Sequence, residues 1–184
     1  MADDLDATTK LGIYRVVLNR YKDVINEKES LTISEIRQKV SPYNDFIRGI
    51  REGITKDMIP YNRKLQFFDA AQRAISYVRG IKTCEFAFTF WMDFGEMDRL
   101  KIGTSMDKAI LLAALLRSLE SDDVRVIVTK KGSPYVRFSW EEDQYLFVPE
   151  SGSLLLGEDS MKVLAEDPPA YSFSDLAYES HEEQ

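Results

Sequence analysis

Apolar residues recur at helical spacing through the first half of the chain and pass to strand spacing after residue 123, which predicts helices first and a sheet afterwards. Leu11, Tyr14, Val17, Leu18, Tyr21 and Val24 mark an amphipathic helix starting near Thr8 or Thr9. A second helix starts at Thr32, where Thr-x-x-Glu with Glu35 forms a capping-box signature; Ile33, Ile36 and Val40 give its apolar stripe, and Ser41-Pro42 ends it. Asn44 to Ile54 reads as a third helix through Phe46, Ile47, Ile50 and Ile54. Phe67 to Val78 reads as a fourth, with Gly80 placed to stop it in left-handed geometry.

Met106 to Leu119 is apolar on nearly every side, and a helix of that kind belongs in the interior. Beyond the turn at Ser121-Asp122-Asp123, three strand patterns follow: Val124 to Thr129, Tyr135 to Trp140 and Gln144 to Val148. Turn residues separate them, so an antiparallel meander is expected. Leu154 to Leu156, a short helix around Asp159 to Leu164 and a last strand within Tyr171 to Tyr178 complete the pattern, with Ser180 to Gln184 expected to be disordered. The aromatic run from Cys84 to Phe94, which contains Trp91, is expected to pack in the core.

The loop ahead of the apolar helix reads Gly103-Thr104-Ser105-Met106-Asp107-Lys108-Ala109. It resembles the Gly-x-Cys-x-Asp-Lys/Ala motif of the transglutaminase-like superfamily, with serine in the place of cysteine. The order of helical region, aromatic stretch, nucleophile helix and strand meander resembles that superfamily from about Ser41 to Gly152. The resemblance implies an α+β, papain-related fold: a helical N-terminal lobe and a buried central helix packed on an antiparallel sheet. It divides the chain into an N-terminal helical extension (1–40), a core (41–156) and an acidic C-terminal segment (157–184).

The same resemblance identifies what is missing. The superfamily places a histidine at the start of a following strand and an aspartate at the end of the next. In this chain those positions are matched by Tyr135 and Val148. A thiol at a helix N-terminus is acidified by the helix dipole, whereas a serine hydroxyl needs a positioned base to lose its proton during attack. Loss of a single member of a Ser-His-Asp triad leaves only ~10³ to 10⁴-fold acceleration, and here all three matched positions differ. The one histidine is His181, in the acidic tail.

The resemblance therefore implies a catalytically inactive domain that binds a protein or peptide segment in the former substrate groove, lined by Trp91, Ser105, Tyr135 and Val148. Two rivals stand beside it. One is a cysteine-free hydrolase or acyltransferase using Ser105 with a non-histidine base, Lys108 or Tyr135. The other is an assembly role for the acidic tail, through Glu166, Asp167, Glu179, Glu182 and Glu183. Thr104 and Ser105 also have the plain reading of helix caps.

Charge and composition narrow the field. Of the formal net charge of −7, residues 1–82 carry 15 Lys/Arg against 11 Asp/Glu, and residues 83–184 carry 9 against 20. That balance disfavours nonspecific nucleic-acid binding, which draws on clustered cations. The single cysteine, Cys84, permits no internal disulfide and is read as structural. With no apolar span, an acidic start and no His/Cys ligand set, the expectation is a cytoplasmic, soluble protein with no cofactor, no metal and no membrane attachment. The sequence leaves its oligomeric state open.

Overall fold

The structure, a computed structural model, describes residues 6–86 and 90–181. It divides into two compact units, residues 1–31 with 86–91, and residues 32–85 with 92–184. In the first unit, α1 (Ala7–Lys28) starts slightly ahead of the expected Thr8 because the Asp6 carboxylate caps it, accepting from the Thr9 N–H at 3.0 Å and the Thr9 hydroxyl at 2.6 Å. The helix buries none of its residues. Phe86 and Phe90 meet edge to face at 5.6 Å. The aromatic run meets its expected core placement only at its end, where Met92 and Phe94 are buried: Phe86 and Trp91 are half-buried and Phe90 is exposed, and Ala87, Phe88 and Thr89 lie outside the described residues. Phe86, Phe90 and Trp91 fall in a unit whose main helix buries none of its own residues.

In the second unit, α2 (Ile33–Lys39) carries the anticipated capping box, with the Thr32 N–H 2.8 Å from the Glu35 carboxylate. Helix α3 (Asp45–Thr55) is capped by the Asn44 side chain, which accepts from the Phe46 N–H at 2.9 Å. Helix α4 (Arg63–Arg79) starts four residues ahead of the expected Phe67 because the Asn62 side chain caps it. Its end corrects the expectation for Gly80, which has φ −67° rather than left-handed geometry. The Gly80 N–H bonds into the last turn, and the chain passes directly to strand β1 (Lys82–Thr83) without needing a reversal.

After α5 (Phe94–Leu100), strand β2 (Ile102–Gly103) runs parallel to β1 and delivers the chain to α6 (Ser105–Ser118). Six antiparallel strands follow: β3 (Arg125–Thr129), β4 (Pro134–Trp140), β5 (Asp143–Val148), β6 (Ser153–Leu156), β7 (Pro169–Phe173) and β8 (Tyr178–Ser180), with α7 (Glu158–Glu166) between β6 and β7. Their order is β6-β5-β4-β3-β7-β8. The β3-β4-β5 meander forms as expected. The single last strand expected within Tyr171 to Tyr178 is instead a hairpin, because Ser174 turns the chain: its N–H donates to Ala177 O at 2.8 Å and its hydroxyl accepts from the Leu176 N–H at 3.1 Å. Ser180 is paired in β8, and the His181 N–H donates to Ala170 O at 2.7 Å, so order extends past the point where disorder was expected.

The pleat sorts the sheet into two faces. Val126, Val136, Phe138, Phe147 and Phe173 share one face and are fully buried. There Phe138 packs edge to face on Phe67 of α4 at 6.2 Å and stacks on Tyr145 at 5.3 Å. Helices α3, α4 and α6 pack on one another, and α6 lies along β3 and β4. Helix α6 is the centre of the core: Leu111, Leu112, Leu115 and Leu116 are all fully buried. At its far end the Arg117 guanidinium holds the β7–β8 turn through both oxygens of Asp175, at 2.6 and 3.2 Å, and bonds Asp122 at 2.6 Å. The result is the α+β architecture read from the sequence, a buried central helix on an antiparallel sheet.

Replacing Leu112 by alanine should cost about 2–5 kcal/mol, because the cavity lies where every neighbour is already enclosed. A denaturant titration should show a lower midpoint with unchanged slope; an unchanged midpoint would contradict the placement of α6 at the centre of the core.

Candidate functional site

The motif loop is built by close packing and capping. Gly103 is buried, and a Cβ there would lie 2.8 Å from Met97 Cε and 3.7 Å from Ile81 Cγ2, so the narrow path from β2 into α6 favours glycine. Thr104 is the N-cap. Its hydroxyl accepts from the Asp107 N–H at 3.1 Å, while the Asp107 carboxylate accepts from the Thr104 N–H at 3.0 Å and its hydroxyl at 2.8 Å. This capping box was legible in Thr-x-x-Asp at 104–107. It assigns the cap to Thr104 and leaves Ser105 as the first residue of α6, half-buried.

Among the described residues, no hydrogen bond reaches the Ser105 hydroxyl. Lys108, one turn further along, directs its amine elsewhere: Nζ donates to Thr83 Oγ1 at 2.8 Å, and the Thr83 hydroxyl donates in turn to Glu150 O at 3.2 Å. Lys108 is only 3% exposed. Burial lowers its pKa from the ordinary lysine value. Thr83 carried no motif, and only the fold, by pairing β1 with β2, brings it to the first turn of α6.

Asp107 is the second buried charge of this turn. Burial raises its pKa, opposed by the hydrogen bonds from Thr104, a backbone bond from Met92 and the charge of Lys39. Cys84 lies close by, its N–H donating to Gly103 O at 2.9 Å. Burial and the negative charge of Asp107 raise the Cys84 thiol, which keeps it protonated and suits a structural role better than a nucleophilic one.

The remaining candidates fall elsewhere. Tyr135 stands opposite Ile127 of β3, which also pairs with Ser172 of β7, so Tyr135, Ile127 and Ser172 form one row. Strand alternation puts that row on the opposite face of the sheet from Val136 and Phe138, which pack towards α4. The Tyr135 phenol has its pKa raised by burial and by the carboxylates of Asp167 and Glu150. Val148, at the end of β5, pairs with Ser153, and its carbonyl accepts from the Gly152 N–H at 2.8 Å across a tight turn with Gly152 at φ 72°. That turn reaches the first turn of α6 through Glu150 O, Thr83 and Lys108. Trp91 belongs to the other unit, where its indole N–H donates to Glu29 O at 2.8 Å.

Two tail residues differ from their expected roles. Asp167 is buried, accepting from the Thr129 hydroxyl at 2.6 Å and the Lys131 N–H at 3.2 Å, so it is no part of a docking tail. His181 is held in the sheet, with Nε2 3.3 Å from Ser172 Oγ, rather than lying in a free tail. Glu166 and Glu179 are exposed, and Glu182 and Glu183 lie outside the described residues. Among the described residues, no group of three His, Cys, Asp or Glu could hold a metal ion, and no helix is long and apolar enough to cross a membrane. Two hollows of about 370 and 410 Å³ are lined by Arg63, Asp123 and Trp140 and by Tyr43, Arg51 and Arg117; neither includes Ser105, Tyr135 or Val148.

No protein-family model and no curated protein matches the chain. Among solved structures it is similar to Legionella pneumophila LapG in its EGTA-treated form, with a TM-score of 0.51 and 14% identity over 83% of this chain and 87% of that one. The calcium-bound form of LapG gives a TM-score of 0.43 and 14% identity over 73% and 89%. LapG has a papain-like fold. The likeness to the first form is one of fold.

The buried Lys108 amine predicts a definite pH dependence. A native pKa below the unfolded value near ~10.4 means that the native state binds fewer protons through that window, so stability rises as pH climbs through it. Lys108→Met removes the cost of burying the charge. It should stabilise the protein most at pH 7, by about 1.4 kcal/mol for each unit by which the native amine is depressed, with the gain shrinking towards zero as pH passes ~10.4. Paired denaturant titrations at several pH values check this, and a gain constant with pH would contradict it.

Proposed function

We infer that this chain is a papain-like domain without a working nucleophile–base pair, serving as a protein- or peptide-binding module at the half-buried start of α6, around Ser105 and Met106. The observation that carries this reading is the use made of the groups around Ser105. Asp107 closes the capping box, and Lys108 is engaged by Thr83. A serine hydroxyl without a base in hydrogen-bond reach is a poor nucleophile at neutral pH. The face assigned to Tyr135 by the pleat supports the same reading, since a phenol on the other side of the sheet from α4 gives Ser105 no general base.

One feature favours a second reading, an acyl-transfer enzyme using Ser105 and Lys108. A lysine whose pKa is lowered by burial is closer to the neutral form that a general base requires. Releasing Lys108 from Thr83 and swinging its amine to Ser105 would be needed for that chemistry.

The two readings separate on one reagent. Incubation with an activated fluorophosphonate should leave the intact mass of the protein unchanged; a stoichiometric adduct abolished by Ser105→Ala would establish the enzyme reading instead. For the binding role, peptides selected from a display library against the whole chain should keep their affinity for Ser105→Ala and lose roughly tenfold or more for Ser105→Trp, whose indole would fill the site. Equal affinity for both variants would place the binding surface elsewhere.

A further inference from the structure

Helix α1 carries an apolar seam whose side chains are largely exposed. Leu11, Tyr14, Leu18, Tyr21 and Ile25 follow one another at intervals of 3, 4, 3 and 4 residues. That is the 3.5-residue period of a helix that packs along another helix, rather than the broader sector of one that lies on a sheet or a membrane surface. The first four of these side chains are between 39 and 62% exposed, and Val17 and Val24, which flank the seam on one side, are exposed too. At 22 residues the helix is roughly 33 Å long, room for three heptads of contact. A seam of this kind left open is a recognition surface by ordinary standards of surface apolarity.

The charges beside the seam narrow the choice of partner. Arg15 and Lys22 occupy equivalent flanking positions one heptad apart, and both are exposed. Across the whole helix Lys10, Arg15, Arg20, Lys22 and Lys28 stand against Asp23 and Glu27. In paired helices the flanking residues set partner choice through charge. A second copy of α1 would offer no carboxylates at the positions facing Arg15 and Lys22, whereas a helix with Glu or Asp there would complement them. Ile13 and Val16 are exposed away from the seam, which breaks up the polar face that a surface-lying membrane helix needs.

We propose that α1 docks a partner protein through a helix–helix seam, and that the partner supplies an amphipathic helix with aliphatic core positions flanked by carboxylates. This surface is independent of Ser105 and of the reading given to it.

The test uses the full chain and a labelled 21-residue peptide with leucine at heptad core positions and glutamate on both flanks, whose own like charges hinder self-pairing. Fluorescence anisotropy should show saturable binding of this peptide and weak or no binding of its lysine-flanked counterpart. The double substitution Leu18→Asp with Tyr21→Asp should weaken binding at least tenfold. Arg15→Glu with Lys22→Glu, confined to exposed charges and checked for helix content by circular dichroism, should reverse the preference towards the lysine-flanked peptide. The proposal is overturned by no binding of the acidic peptide, by an unchanged preference after charge reversal, or by sedimentation showing a dimer of this chain that the seam substitutions dissolve. Phosphatidylserine vesicles serve as the last arm, and binding to them that is lost with the seam substitutions would assign the helix to a lipid surface instead.

Discussion

Helix α6 has no polar face, and the rest of the larger unit follows from the need to enclose it. The β3–β4 pair covers one side with Val126, Val136 and Phe138, while α3 and α4 close the other, so that Leu111, Leu112, Leu115 and Leu116 lose all contact with water. Burial of each such side chain contributes about 1.5–3 kcal/mol before the entropy of ordering is charged against it. The ends of the helix then become the critical points, because each leaves backbone groups unpaired in a crowded setting. Thr104 and Asp107 satisfy the start, and Arg117 ties the last turn to Asp175.

Capping and burial also engage the polar residues of the first turn of α6. In the first turn of α6, Asp107 is a capping carboxylate that accepts from Thr104, and Lys108 donates to Thr83, whose hydroxyl donates in turn to Glu150 O. Both are buried charges whose pKa values move in the direction of neutrality. Ser105 is half-buried, and among the described residues no hydrogen bond reaches its hydroxyl. Ser105 thus opens the buried helix while Thr104 and Asp107 cap it and Lys108 binds Thr83.

Much of this was legible in the chain. Thr32 with Glu35 and Asn44 fixed two helix starts because capping is a local hydrogen-bond problem, and the apolar run from Met106 to Leu119 announced its own burial. The β3-β4-β5 meander was marked by its turns. What escaped depended on contacts distant in sequence. The insertion of β7 beside β3 turns part of the expected acidic tail into the sheet interior, and it accounts for the buried Asp167 and the paired His181. The facing of Tyr135 is a matter of one residue of register, since its neighbour Val136 points the other way, and motif spacing carries no such information. Thr83 gave no sign of its role because it acts only through the pairing of β1 with β2. At 14% identity to LapG, the likeness survives in the path of the chain rather than in its residues.

The most direct measurement of the central claim is the ionisation of a thiol placed at position 105. In a Cys84→Ser background, Ser105→Cys should alkylate with a single pH dependence whose midpoint lies above roughly 6, set by the helix terminus and nearby charge without a partner base. Alkylation that persists undiminished to about pH 4, as for a thiolate paired with a protonated base, would show that the fold still holds a base against this position and would contradict the account.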